Sequence, residues 1–236
     1  EVLWTHHHIL LDGWCLAALA EELFAIHSAL ISGTSPSLPP ARPYADFIRW
    51  IGEQPSGAAL THWRDVLGDE GPVTRLPRGD MPGSAGALIE HHRSLSPDHS
   101  AALVALARNL HATPSSVLHA AWGLFAAKYT GENEALFSSI VANRPQSLPG
   151  VERMMGLFIN AVPVRISATT GATFADHIQT MQAQTLARAD HEFLPLAQII
   201  GAMPHVSAAF DSLLIVQNYP LGNVGTGETD ELLGVK

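Results

Sequence analysis

The chain has 236 residues, of which 47% are hydrophobic and 15% charged, and its formal net charge is −9. This composition excludes a disordered chain. The acidic balance disfavours binding to nucleic acid or to anionic lipid, both of which attract basic surfaces, and no apolar run is long enough to predict a membrane span. Cys15 is the only cysteine, which excludes an internal disulfide and indicates a reducing, cytoplasmic location.

The first part of the chain predicts a short strand followed by helices. The strand is expected over residues 2–5, which are apolar and extended in pattern. Apolar residues then recur at helical spacing over residues 15–31, and Gly33 follows as a stop signal. Two further helices are predicted over residues 44–53 and 57–67.

The second part of the chain alternates between strand and helix patterns. Thr113-Pro114 places a capping residue and a proline at the start of a helix, and Gly131 is typical of a helix end. This alternation indicates an α/β fold or an α+β sandwich. The predicted elements are strands over residues 87–95, 135–142, 160–167 and 212–217 and helices over residues 97–110, 113–129, 173–190 and 195–200.

The most distinctive feature of the sequence is the run His7-His8-Ile9-Leu10-Leu11-Asp12-Gly13. A histidine at the end of a strand is well placed to transfer a proton at neutral pH. Asp12 could hold the turn by hydrogen bonds or by pairing with an arginine, and Gly13 permits a substrate to approach the backbone closely. Two other interpretations stay open from these residues alone. One is a metal site, which neighbouring histidines on opposite faces of a strand disfavour. The other is a set of hydrogen-bonded core histidines.

Several segments together resemble the condensation domains of nonribosomal peptide synthetases. The histidine run continues as Asp12-Gly13-Trp14, and its match to the class that takes an L-configured donor is the closer one. The order and spacing of the segments fit the family over nearly the whole chain. The other segments are Tyr44-Ala45-Asp46-Phe47, His62-Trp63, Asn143-Arg144-Pro145, Gly156-Leu157-Phe158-Ile159-Asn160, His191 with Pro195-Leu196, and Phe210-Asp211-Ser212 through Pro220.

The resemblance implies a chloramphenicol acetyltransferase-like fold, in which the active site lies in a tunnel between two lobes. Residues 1–67 would form the end of the N-terminal lobe, and residues 87–220 the C-terminal lobe. Residues 68–86, rich in Gly, Pro and charge, would link them, and residues 221–236 would form a loose tail. Members of the family have further strands and helices before the histidine motif, so we expect this chain to be part of a longer polypeptide and its fold to be partial.

The resemblance also implies the reaction, which is amide-bond formation. A donor acyl group arrives as a thioester on an upstream peptidyl carrier protein, and the acceptor amine arrives on a downstream one, next to an adenylation domain. Because both groups travel on phosphopantetheine arms, the chain needs no bound cofactor of its own. His8 is the expected catalytic residue, acting on the attacking amine or on the charged intermediate.

The other residues of the motif are expected to support His8. His7 and Asp12 have structural roles by resemblance, Gly13 offers close backbone approach, and no metal is expected. Arg144 is the candidate partner of Asp12, and Asn160 either lines the site or ends a strand. In the sequence, Cys15 and Ala161 stand where the family more often has Ser and Thr.

Two other functions share features with this interpretation. A coenzyme A-dependent acyltransferase has the same motif and fold type, although its ligand would favour more basic residues than the 13 Lys and Arg of this chain. A non-catalytic docking domain of an assembly line could lose His8 without penalty, so the intact motif argues against it.

Overall fold

A computed structural model describes residues 3–76, 89–208 and 211–217. The described residues divide into two compact units. Unit 1 comprises residues 3–54 and 142–159 with Gln217, and unit 2 comprises residues 55–76, 89–141, 160–208 and 211–216. The chain therefore passes from unit 1 to unit 2 and back more than once.

Unit 1 is built from two helices and a long segment that returns to them. Helix α1 spans Gly13–Ile31 and helix α2 spans Ala45–Glu53. The returning segment, residues 142–159, contains one turn of 3₁₀ helix at Val151–Arg153. Aromatic and aliphatic side chains from α2 and this segment form the core of the unit, and they are Phe47, Leu148, Val151, Met154 and Phe158.

Helix α1 buries only a short part of its surface in unit 1. Cys15 and Ala17, near its start, are buried, whereas Phe24 and Leu30 are exposed. By length and apolar composition α1 could cross a membrane, as could many core helices of soluble proteins and many signal sequences. This corrects the expectation that no segment is long and apolar enough to do so.

Unit 2 contains a small mixed sheet and the remaining helices. Strands β1, Glu134–Val141, and β2, Asn160–Ser167, pair antiparallel along their whole length, from Glu134 opposite Ser167 to Val141 opposite Asn160. A third strand, β3 (Leu213–Leu214), pairs parallel to the other side of β1. The helices are α3 (Ser56–Leu67), α4 (Pro97–Asn109), α5 (Pro114–Thr130), α6 (Phe174–Arg188) and α7 (Leu196–Ala202).

The helix starts and ends in unit 2 follow local signals in the sequence. Thr113 caps α5 with Pro114 in its first turn, and Gly131 ends it in the left-handed conformation at φ +76°. At α6, Thr173 and Asp176 form a capping box. The apolar faces of α5 and α6 pack on β1 and β2 in one buried cluster that includes Phe137, Ile166, Ile178 and Met181 and extends to Ala107 of α4.

Two predicted strands are wrong in the described residues, and a third is shorter than predicted. Residues 3–5 and 89–95 lie in no strand, and the strand expected over residues 212–217 is reduced to Leu213–Leu214. An extended apolar pattern forms a strand only where another strand offers hydrogen bonds, and the described residues offer no partner to the first two segments. Part of each of those two predictions lies outside the described residues.

The two compact units divide the chain in a different way from the predicted lobes, whose boundaries stay a prediction. Helix α3, expected in the N-terminal lobe, belongs to unit 2, and residues 142–159, expected in the C-terminal lobe, belong to unit 1. Part of the expected linker is also packed. Thr74 is buried and its hydroxyl accepts a hydrogen bond from the backbone N–H of Leu136 at 2.7 Å. The remainder of that linker and the expected tail over residues 221–236 lie outside the described residues.

His119 of α5 is a buried histidine with a partner at each ring nitrogen. Its Nδ1 lies 2.6 Å from the carbonyl oxygen of Ser115 and its Nε2 lies 2.7 Å from the hydroxyl of Ser139 on β1. A neutral ring fits this arrangement, donating to the carbonyl through Nδ1 and accepting from the hydroxyl at Nε2. Burial is the main cause that lowers the pKa of His119, and the positive charge of Arg188 adds to it.

We predict that His119 makes unit 2 less stable in mild acid. Because its pKa is lower in the folded chain than the usual value of about 6.5, the unfolded chain binds the proton more readily, and stability is lost as the pH falls below that value. His119→Gln, which keeps a hydrogen-bonding side chain but cannot be protonated, should lose less stability between neutral and mildly acidic pH. Urea unfolding at several pH values measures this, and equal pH dependence in the two proteins would contradict it.

Candidate active site

The histidine run forms a turn immediately before α1. The backbone N–H of Leu10 donates to the carbonyl of His7 at 3.0 Å, and the N–H of Ile9 donates to Nδ1 of His7 at 3.1 Å. The ring of His7 is thus engaged with its own backbone. His8 is the next residue of the turn and is exposed, so its imidazole is open to solution in unit 1.

Asp12 ends this turn and begins the helix. Its carboxylate accepts a hydrogen bond from the N–H of Cys15 at 3.2 Å and so caps α1, of which Gly13 is the first residue. The same carboxylate accepts a second hydrogen bond from the N–H of Phe158 at 3.2 Å. Asp12 is only 1% exposed, so its charge needs compensation within the protein.

Arg144 supplies that compensation. Its guanidinium donates from one nitrogen to both carboxylate oxygens of Asp12, at 3.0 and 3.3 Å. The other terminal nitrogen donates to the carbonyls of Val151 and Met154, at 2.6 and 3.1 Å. The guanidinium carbon also lies 3.8 Å above the centre of the Phe158 ring. The structure therefore contains the pair that the resemblance implied, and Arg144 additionally holds the segment that surrounds it.

Cys15 is a part of this arrangement that the sequence reasoning missed. Its thiol lies 3.3 Å from a guanidinium nitrogen of Arg144 and 3.3 Å from the N–H of Gly156, and it is 3.2 Å from the carbonyl oxygen of Gly156. A thiol can be both a weak donor and a weak acceptor, as a serine hydroxyl can more strongly. Cys15, which stands where the family more often has Ser, therefore makes polar contacts here, a role that the spacing of the motif gave no reason to expect.

Asn160 lies in unit 2, at the start of β2. Its amide nitrogen donates to the carbonyls of Glu192 and Leu194, at 2.7 and 2.8 Å, and its amide oxygen accepts from the N–H of Ala161 at 2.9 Å. These bonds tie the segment after α6 to the strand. Of the two roles left open by the sequence, the geometry favours the structural one.

The acidic and histidine residues of unit 1 do not gather around a common point in the way that metal ligands do. Across residues 3–76, 89–208 and 211–217, no group of three or more His, Cys, Asp or Glu side chains could hold a metal ion. The site instead offers the exposed imidazole of His8, on a turn that ends at the buried ion pair of Asp12 and Arg144.

The fold is that of condensation domains. The first condensation domain of the calcium-dependent antibiotic synthetase superposes on 90% of this chain with a TM-score of 0.70 and 21% identity, and the chain covers 50% of that structure. The SgcC5 protein of Streptomyces globisporus superposes on 91% of the chain with a TM-score of 0.74 and 24% identity, again over 50% of its own length. This likeness confirms the predicted chloramphenicol acetyltransferase-like α/β architecture.

Sequence comparison then gives the family. The condensation-domain model matches residues 1–232. Surfactin synthase subunit 3 of Bacillus subtilis is 34% identical over 98% of this chain, and tyrocidine synthase 2 of Brevibacillus parabrevis is 35% identical over 94% of it. The chain spans 18% and 6% of these two relatives. The chain belongs to the condensation-domain family, as the histidine motif and the later segments indicated.

We predict that Asp12→Asn destabilises the protein by about 3–5 kcal/mol, the usual effect of breaking a buried ion pair. Asparagine keeps an oxygen that can cap α1, so the loss reports mainly on the uncompensated charge of Arg144. Urea unfolding measures the difference.

The matched control is Asp46→Asn. Asp46 pairs with Arg42 and Arg49, whose side chains are 48% and 67% exposed, and exposed pairs contribute at most about 1 kcal/mol. Equal losses in the two variants would contradict a special role for the Asp12–Arg144 pair.

Proposed function

We propose that this chain catalyses amide-bond formation between a carrier-bound acyl or peptidyl thioester and a carrier-bound amine, as part of a nonribosomal peptide synthetase. Membership of the condensation-domain family supports the reaction class. The observation that carries the proposal is the intact histidine motif, in which exposed His8 sits on a turn that buried Asp12 and Arg144 hold at the start of α1.

His8 has the chemistry that the reaction needs. The acceptor amine attacks the thioester carbon, so that a C–N bond forms, the C–S bond breaks, and the donor's carrier keeps the free thiol. The amine loses a proton on the way, and the His8 imidazole can accept that proton or orient the amine by a hydrogen bond. The thiolate that leaves can then be protonated, which balances the step.

The partners follow from the same proposal. Both substrates arrive on phosphopantetheine arms of upstream and downstream carrier proteins, with an adenylation domain supplying the acceptor amino acid, so the chain itself holds no cofactor. The curated relatives are synthases much longer than this chain, which supports partners in the same polypeptide. The same proposal assigns the reaction to the cytoplasm and an L-configured residue to the donor.

We predict that His8→Ala lowers product formation by about 10²–10⁴-fold, the usual contribution of general acid–base help. The experiment uses the full natural polypeptide with donor and acceptor carriers loaded, and intact mass measures the product on the acceptor carrier. His6→Ala is the matched control, because His6 is exposed on the same segment but lies outside the motif. It should leave product formation near the wild-type rate.

Each other outcome decides against a part of the proposal. Unchanged product formation in His8→Ala would remove His8 from the chemistry. Absence of product from the wild-type protein, with transfer from free acyl-coenzyme A instead, would favour the coenzyme A-dependent alternative. Absence of both would favour a docking role. A strict requirement for a D-configured donor would contradict the donor class.

A further inference from the structure

The returning segment of unit 1 touches the start of α2 as well as the start of α1. Tyr44 is the residue immediately before α2, and its hydroxyl donates a hydrogen bond of 2.5 Å to the carbonyl of Leu157. Its ring meets the Phe158 ring edge-on, with 5.2 Å between the ring centres. Tyr44 thus holds the backbone at residue 157 and packs against the side chain at residue 158.

At Gly156 the returning segment, residues 142–159, lies in close contact with Tyr44. A Cβ atom at Gly156 would overlap the ring of Tyr44, so the backbone lies directly against the ring. On its other side, the same residue donates its N–H to the thiol of Cys15 in α1. Residue 156 therefore runs between the ring of Tyr44 and the side chain of Cys15, and any side chain of its own would force them apart.

Phe158, two residues after Gly156, contacts both members of the Asp12–Arg144 ion pair. The N–H of Phe158 follows the Leu157 carbonyl along the chain and donates to Asp12, and the Phe158 ring lies under the guanidinium of Arg144. One backbone segment thus connects the Tyr44 hydroxyl to both members of the pair. Asp12 in turn ends the turn that carries His8, four residues earlier in the sequence.

We propose that Tyr44 is a positioning residue for the reaction: through Leu157 and Phe158 it fixes Asp12, and through Asp12 it fixes the turn that carries His8. The inference rests on the proposed function, because His8 needs a fixed position only if it acts on a substrate. A misplacement of about 1 Å at a reacting group can cost about 10²-fold in rate. The Tyr44 hydroxyl can therefore affect the rate through the position of His8, without contacting the substrate.

The chemistry of the phenol suits a permanent donor. Burial raises the pKa of Tyr44, and the negative charge of Asp12 raises it further, while the positive charge of Arg144 opposes the shift. The hydroxyl therefore stays protonated across the physiological range. Its hydrogen bond to Leu157 is independent of pH there.

The test compares Tyr44→Phe with Tyr129→Phe in the full natural polypeptide. Tyr44→Phe keeps the ring that packs on Gly156 and Phe158 and removes only the donor. Tyr129 is 56% exposed in unit 2 and gives the same chemical change at a site outside the contact. The two readouts are the kcat and KM of product formation on loaded carriers, and amide hydrogen exchange by mass spectrometry in peptides that cover residues 154–160.

For Tyr44→Phe we expect amide exchange in these peptides to become about 10-fold faster, the factor that corresponds to one lost buried hydrogen bond. We expect kcat to fall by about 10-fold or more with KM nearly unchanged, because the substrate contacts remain and the position of His8 does not. Tyr129→Phe should change neither. These results together support the positioning role.

Two results would overturn it. Unaltered exchange in residues 154–160 would show that the hydroxyl does not hold the segment, whether or not the protein forms product. Faster exchange with unchanged kcat would show that the segment is held for stability alone. Failure of the proposed function has a different signature, which is absence of product from the wild-type protein and from Tyr129→Phe as well.

Discussion

The buried ion pair between Asp12 and Arg144 is the interaction on which the rest of unit 1 depends. Buried charges are stable only when they are paired and their hydrogen bonds are satisfied. Here the two charges come from distant parts of the chain, at residues 12 and 144. Asp12 also caps α1 and accepts from Phe158, while Arg144 also binds the carbonyls of Val151 and Met154. Unit 1 therefore cannot move its histidine turn without disturbing the segment around Arg144.

The sequence predicted helices better than strands, for a physical reason. The start of a helix is set by residues that are neighbours in the sequence, such as Thr113 with Pro114 or Thr173 with Asp176. Such signals can therefore be recognised from the sequence alone. A strand depends on a partner that lies elsewhere in the chain. Strand β2 forms at its predicted bounds because β1 pairs with it along its whole length. Residues 89–95 have the apolar pattern of a strand but no partner among the described residues, and they form none.

The candidate site was predictable as a motif but not as a structure. The spacing of His7, His8 and Asp12 identified the turn as a candidate site, and the family resemblance implied Arg144 as the partner of Asp12. The contacts of Tyr44 and Cys15 with residues 156 and 157 join positions more than 100 residues apart in sequence. No local pattern encodes such contacts, because they arise only when the returning segment packs between α1 and α2.

The most direct test of this dependence is a double-mutant cycle on the pair. Asp12→Asn, Arg144→Gln and the double variant would be compared with the wild-type protein by urea unfolding. If the two charges stabilise each other, the double variant loses less stability than the two single losses added together, by about 2 kcal/mol or more. Losses that add to within about 0.5 kcal/mol would contradict the central role of the pair, and the position of His8 would then have to depend on other contacts.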